Sequence, residues 1–174
     1  MKRLFAIDLQ NYDPNWPKYY RPSVRAIILD KQGNVAMIYS EKYHFYKFPG
    51  GGMEGDETDL ETLSREVKEE TGLTIIPESA KEFGEVLITL KYAIKDNTIL
   101  VQQNLYYTCE VEPGIDDLNL DEGEKELGFV FKFVPINEAI RINADFKCDD
   151  DPGKEIPVKR EKRILEIIRQ HRGI

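Results

Sequence analysis

The sequence predicts an α/β (α+β) sandwich, a mixed β-sheet held between helices, and three observations carry that expectation. Short apolar, partly β-branched runs recur along the chain, one sharply bounded helix interrupts them, and an amphipathic segment follows Pro157. The 174 residues fit a single domain over 23–174, preceded by an N-terminal strand and connector over 1–22.

Residues 2–8 form a short edge strand. Tyr12 to Pro22, with three prolines and four aromatics, reads as an irregular connector. Ser23–Leu29 and Val35–Tyr39 flank Asp30-Lys31-Gln32-Gly33-Asn34 and predict a hairpin. Tyr43 to Phe48 leads into the flexible turn Pro49-Gly50-Gly51-Gly52. A helix follows from about Thr58 to Thr71. Thr58 and Glu61 have capping-box spacing, Gly72 suits a left-handed C-cap, and Leu60, Leu63 and Val67 form the stripe to be buried. Strands are expected at 85–92 and 99–111, a polar loop at 113–126, a strand at 129–134 and a short helix at 137–142. The last helix opens at Pro157 and turns Val158, Ile164, Leu165 and Ile168 inward.

Composition narrows the function. Net charge is −8, which disfavours general binding to nucleic-acid backbones. From Pro157 onward the charge is +4, so the remainder carries −12; the basic helix reads as a solvated face. An acidic protein that acts on a polyanion needs cations between the two, which points to a divalent metal. Cys109 and Cys148 lack metal or redox spacing and read as reduced. The apolar run after Met1 stops at Asp8, too short for a signal peptide, and no segment is long enough to span a bilayer, so a cytoplasmic protein is expected. His44 and His171 are too few for a zinc site, and Asp149-Asp150-Asp151-Pro152-Gly153 lacks the ligand spacing of a calcium loop.

The chemistry concentrates in Gly51–Leu73, GGMEGDETDLETLSREVKEETGL. Glu66, Glu69 and Glu70 stand at i, i+3 and i+4, within about a 100° arc of the helix. Like charges so placed oppose folding, and a hard divalent cation, Mg²⁺ or Mn²⁺, is the natural counter-charge for carboxylate oxygens. The glycine run lets backbone approach a ligand closely.

Gly51, five residues, Glu57, seven residues, then Arg65-Glu66-Val67-Lys68-Glu69-Glu70-Thr71-Gly72-Leu73 resembles the Nudix box at every fixed position. Phe48-Pro49-Gly50-Gly51 and Arg25-Ala26-Ile27-Ile28 are similar to that family as well. One position departs: Asp56 stands where the family usually has glycine, with Gly55 one place earlier. The resemblance implies a Nudix-type α/β/α sandwich and hydrolysis of a diphosphate linkage by metal-activated water. It implies that Glu66, Glu69 and Glu70, with the Gly51 carbonyl, hold one to three ions, and that Glu57 and Arg65 fasten the loop to the helix. The base is then Glu66 or Glu69, or an acid of the following loop among Glu122, Glu124 and Glu126.

Outside the box, Arg25 and Lys47 are candidates for phosphate contact and Tyr46 for contact with the substrate. Tyr43-His44-Phe45-Tyr46 reads either as a stacking surface for a base or as alternating strand positions. Arg65 has Glu61 as a rival partner one turn earlier. The resemblance points to a small nucleotide-type substrate, a nucleoside triphosphate or a nucleoside diphosphate derivative. Tyr92 adds dinucleoside polyphosphates as an alternative, and a nucleotide-sensing module without hydrolysis is the rival from another class. Assembly as a homodimer is left open.

Overall fold

The computed structural model describes residues 1–148 and 155–173, so the acidic run at 149–153 lies outside the described residues. The strands are β1 (Arg3–Asp8), β2 (Lys18–Ile27), β3 (Val35–Ser40), β4 (Phe45–Lys47), β5 (Lys81–Lys91), β6 (Ile99–Thr108) and β7 (Phe129–Val134). The helices are α1 (Asp59–Thr71), α2 (Glu122–Glu126), α3 (Ile136–Asp145) and α4 (Glu155–Arg172).

Four strands order as β1-β5-β6-β2 and three as β4-β3-β7. The β5–β6 hairpin is antiparallel, while β1 and β2 add to its two sides in parallel, so the sheet is mixed as expected. The expected hairpin after β2 forms only at its turn. Asp30 accepts from the backbone N–H of Gln32 and Asn34, and Gly33 sits at φ 85°, but the strands then part into different sheets after the Leu29–Val35 bridge.

Strand periodicity divides the interior into two cores. Val24, Ala26 and Ile28 of β2, Ala36 of β3 and Tyr107 of β6 pack with Leu63 and Val67 of α1. Their neighbours Ile27, Val35, Met37 and Tyr106 face the other way, against α3 and α4 through Ile140, Ile164, Leu165 and Ile168. Helices therefore cover both faces, and the predicted sandwich is present.

Three expectations require correction. β2 begins at Lys18, inside the predicted connector, because Lys18–Pro22 pairs in register with Ile99–Gln103; a boundary at 22/23 thus falls within a strand. The polar loop contains α2, whose N-cap Asp121 and Glu124 make a reciprocal capping box. Leu60 is exposed rather than buried. The interior position in the first turn of α1 goes to Thr62, which donates to Glu57, and the turn is tied down by Tyr107 OH donating to Asp59 at 2.6 Å. The rest of α1 follows the sequence: Thr58 and Glu61 form both capping-box bonds, and Gly72 ends the helix at φ 70°. Among the described residues no helix is long and apolar enough to cross a membrane.

Candidate active site

The loop from Pro49 to Gly52 runs beside β2 and is bonded to it. Ala26 N–H donates to the Pro49 carbonyl and Val24 N–H to the Gly51 carbonyl, both at 2.9 Å. The loop lies so close to its neighbours that side chains are excluded. A Cβ on Gly50, at φ 135°, would stand 2.1 Å from the Val24 carbonyl oxygen, and one on Gly51 would stand 2.2 Å from a Glu66 carboxylate oxygen. Gly51→Ala must therefore push Glu66 aside. We expect a loss of activity of about a hundredfold or more, with thermal stability much less affected, as checked by steady-state rates beside a melting curve.

Helix α1 aims its acids at this loop. Glu70 is 2% exposed, accepts from Gly50 N–H at 2.8 Å and pairs with Lys47 Nζ at 2.5 Å. Arg65 gathers the others. Its Nε and Nη2 donate to the two Glu57 oxygens at 2.7 and 2.9 Å, its Nη1 to Glu66 at 2.9 Å and Glu69 at 3.2 Å, and its Nη2 to the Gly52 carbonyl at 3.2 Å. The Arg65 hydrogen bonds hold Glu57 down to about 2. Glu61 is not the partner of Arg65; its carboxylate accepts from Thr58 in the capping box.

Between the loop, α1, α2 and β2 lies a cleft of about 390 Å³. Glu66 and Glu70 form its acidic wall, joined by Asp121 and Glu124 from α2 and its cap, while Arg21, Ser23, Arg25, Lys47 and Gln102 form the other. An adjoining pocket of about 290 Å³ shares Glu66, Asp121 and Glu124 and reaches Glu69. Of the three acids weighed in the following region, Glu124 alone enters this cleft, whereas Glu122 and Glu126 are exposed outside it. Burial and a hydrogen bond to the Glu70 carboxylate push Glu124 up to about 7, against the opposing Asp121 backbone N–H. Burial also raises Glu66, with Arg65 opposing.

Of the three substrate candidates, Arg25 and Lys47 line the cleft and Tyr46 does not. Tyr46 is 4% exposed, belongs to the core under α3 and α4, and exchanges backbone hydrogen bonds with the Asn143 side chain. Strand alternation explains the difference, since Lys47 is one position along β4 and points to the opposite face. Tyr43 and Phe45 line a separate apolar groove with Phe146, while Phe45 also meets Phe129 edge to face. The basic last helix is not simply a solvated face: Arg160 is 3% exposed and hydrogen-bonded to Asn104 and Glu161.

Arg21, Ser23 and Gln102 were not singled out in the sequence. The first two share the strand period of Arg25, a signal that was available. Gln102 enters only through its register with Arg21, which sequence does not display.

The charges of the site do not balance from within. Among its partly or fully buried side chains, Glu57, Glu66, Glu69 and Glu70 face Arg25, Arg65 and Lys47, an excess of one negative charge that becomes two when Glu124 ionises. Among the described residues no three acid, His or Cys side chains converge as a ready-made metal cluster. The glutamates are instead held by Lys47, Arg65 and Gly50 N–H, which leave other carboxylate lone pairs free. Hard oxygen donors with an uncompensated negative charge fit a divalent ion. On the facing wall, Arg25 Nε and Nη1 are buried without a hydrogen-bond partner. Such an orphaned guanidinium is costly unless an anion meets it.

Comparison with known proteins agrees with this arrangement. The chain is 29% identical over 127 residues to a protein named RNA pyrophosphohydrolase from Xanthomonas oryzae pv. oryzae (strain MAFF 311018), covering 73% of this chain and 54% of that protein. It is 28% identical over 116 residues to one of the same name from Xylella fastidiosa (strain 9a5c), covering 62% and 60%. The chain thus spans little more than half the length of these relatives. Its fold is similar to a NUDIX hydrolase from Nitrosomonas europaea (TM-score 0.55, 18% identity, 84% of this chain and 90% of that one). It is also similar to a MutT protein from Methanosarcina mazei Go1 (TM-score 0.52, 18% identity, 87% and 98%). The family model for the NUDIX domain matches residues 19–152. The chain belongs to the Nudix family.

Proposed function

We propose that this chain is a divalent-metal-dependent hydrolase that cleaves a diphosphate linkage in a nucleotide-type substrate. The observation that carries the proposal is the cleft itself. Buried, orphaned nitrogens of the Arg25 guanidinium face a carboxylate cluster whose negative charge exceeds that of its own cations. An anion beside Arg25 and a cation beside the glutamates complete both walls.

In this reading Glu66, Glu69 and Glu70, with the Gly51 carbonyl, hold Mg²⁺ or Mn²⁺. When bound, the ion lowers the pKa of water and neutralises charge on the leaving phosphate. Arg25 and Lys47 orient the phosphates. Lys47 also stands 3.7 Å from Glu124, close enough to link the acidic wall to the substrate. Glu124 is the proposed base, because it is the α2 acid that joins Glu66 and Glu70 in lining the cleft and its pKa of about 7 suits proton transfer near neutrality. Arg65 and Glu57 keep the glycine loop against the helix and touch no substrate.

A nucleoside triphosphate or nucleoside diphosphate derivative is the first reading of the substrate. The names of the two relatives favour a second, the polyphosphorylated 5′ end of an RNA, against the expectation that nucleic acid is excluded. Incubation with nucleoside triphosphates, sugar nucleotides, dinucleoside polyphosphates and 5′-triphosphorylated RNA in Mg²⁺ separates these. Turnover of any member supports hydrolysis. Tight binding of one member with no turnover across the panel would replace the enzyme with a nucleotide-sensing module.

A further inference from the structure

A second concavity lies on the opposite face of the four-stranded sheet from the cleft. Along β2, Lys18 and Tyr20 share the parity of Val24 and Ala26, which pack under α1, whereas Arg21, Ser23 and Arg25 face the cleft. Beyond α1 this face is open, and Tyr20 is 65% exposed. A cavity of about 540 Å³ forms there, with Leu87, Thr89 and Val101 as its floor. The chain leaves β1 at one edge of the sheet and enters β2 at the other, so residues 9–17 cross its end. The crossing is tied at three points. Leu9 N–H donates to the Thr89 carbonyl at 3.0 Å, Lys91 N–H to the Asn11 side-chain oxygen at 2.8 Å, and Ile99 N–H to the Pro17 carbonyl at 2.9 Å. Tyr12 and Pro14 of this connector thereby wall the cavity between the two edges.

The edges carry opposite charge. Asp8 Oδ1 on β1 accepts from Tyr12 OH at 2.9 Å and Gln10 N–H at 3.0 Å, which leaves Oδ2 without a partner among the described residues. Arg3 on the same edge is neutralised by Glu85, to which its Nε donates at 2.9 Å. Lys18 on β2 makes no side-chain hydrogen bond or ion pair among the described residues. Asp8, Thr89, Val101 and Tyr20 are register partners across the four strands. At about 4.8 Å per strand the edges stand about 14 Å apart, so Asp8 and Lys18 do not satisfy each other. Two aliphatic side chains flanked by an open tyrosine ring suit a flat body with few polar atoms on its faces.

We propose that this concavity is a second binding site, for a nucleoside monophosphate. The ring lies over Leu87 and Val101 beside Tyr20, its N–H donors meet the free Asp8 oxygen, and its phosphate meets Lys18. Both ends are required, because a ring alone leaves Lys18 unmatched and an anion alone leaves the apolar floor wet. The site is separate from the metal cleft and holds whether or not that cleft hydrolyses diphosphates.

Trp16, the single tryptophan, stands in the connector with Lys91 over its ring at 5.9 Å and reports on this wall. The test titrates AMP into wild type, Lys18→Glu and Tyr20→Ala, with EDTA present to keep divalent ions from the cleft. Trp16 fluorescence and calorimetry are followed together. Saturable binding by wild type is expected, weakened at least about tenfold by Lys18→Glu and at least about fivefold by Tyr20→Ala. Adenosine, which lacks the anion, and ribose 5-phosphate, which lacks the ring, should each bind at least about tenfold more weakly than AMP. Both substituted side chains are exposed, so melting curves should match wild type. AMP affinity unchanged in both variants assigns any binding to the cleft and overturns the site. Absence of saturable binding by either measurement overturns it as well.

Discussion

Glu66→Gln is expected to lower kcat by about a thousandfold while the protein stays folded. Glu66 stands where the two halves of the cleft meet, lining both the pocket that holds Glu70 and Arg25 and the pocket that reaches Glu69. Glutamine keeps the shape and retains an oxygen to accept from Arg65, so the loop anchor survives through Glu57. What it removes is one unit of the negative charge that exceeds the local cations. If that charge holds an ion which stabilises several kcal/mol of charge in the transition state, the loss corresponds to about three powers of ten in rate. Single-turnover rates in saturating Mg²⁺, with a melting curve beside them, check the expectation. A variant with full metal-dependent activity would show that Glu66 is not a ligand.

The largest expected effect on stability lies behind the cleft, in the adjacent pair Arg160 and Glu161 of α4. Both side chains are buried, at 3% and 1% exposed. Arg160 Nη2 donates to Glu161 at 2.5 Å, its Nη1 to Asn104 at 2.5 Å, and Tyr106 OH donates to Glu161 at 3.0 Å. Ser23, on the cleft floor, donates to the same Asn104 oxygen at 2.9 Å. Burial, the largest influence, lowers the Arg160 pKa, and the charges and hydrogen bonds of Glu161 and Tyr106 together more than reverse this, so the guanidinium stays charged. Glu161→Leu strands that charge in the core and leaves the Tyr106 hydroxyl unpaired. A loss of about 3–5 kcal/mol is expected, roughly 10 °C in melting temperature for a chain of this size. Adding Arg160→Met should recover much of it, because the double variant buries no charge. A double variant as unstable as Glu161→Leu alone would mean that packing, not charge, sets the cost.

What sequence displayed and what it hid follow from the range of the interactions. The box helix was legible because its determinants are local. Thr58, Glu61 and Gly72 act within four residues of the chain they cap. The tie between Glu57 and Arg65 came from the family resemblance, while local helix spacing alone pointed to Glu61. Alternation along β2 and β3 told which residues are apolar but not which face each strand buries, and the two strands parted into different sheets. Tyr46 was misread for the same reason: one step along β4 separates a core ring from a cleft ammonium, and only the position of α3 decides between them. Arg160 looked like part of a solvated basic helix because its partners, Asn104 and Tyr106, are more than fifty residues away. Helix α2 carried a readable signal in Asp121 and Glu124, but the acidity around it made the segment resemble a loop.

In the proposed function these glutamates hold a doubly charged cation. Titration of the purified chain with Mn²⁺, followed by calorimetry and by loss of the free-ion electron paramagnetic resonance signal, measures this without any substrate. Saturable binding of at least one ion by wild type is expected, weakened at least about tenfold in Glu69→Gln and Glu70→Gln. The absence of saturable binding in wild type, or equal affinity in both variants, would contradict it.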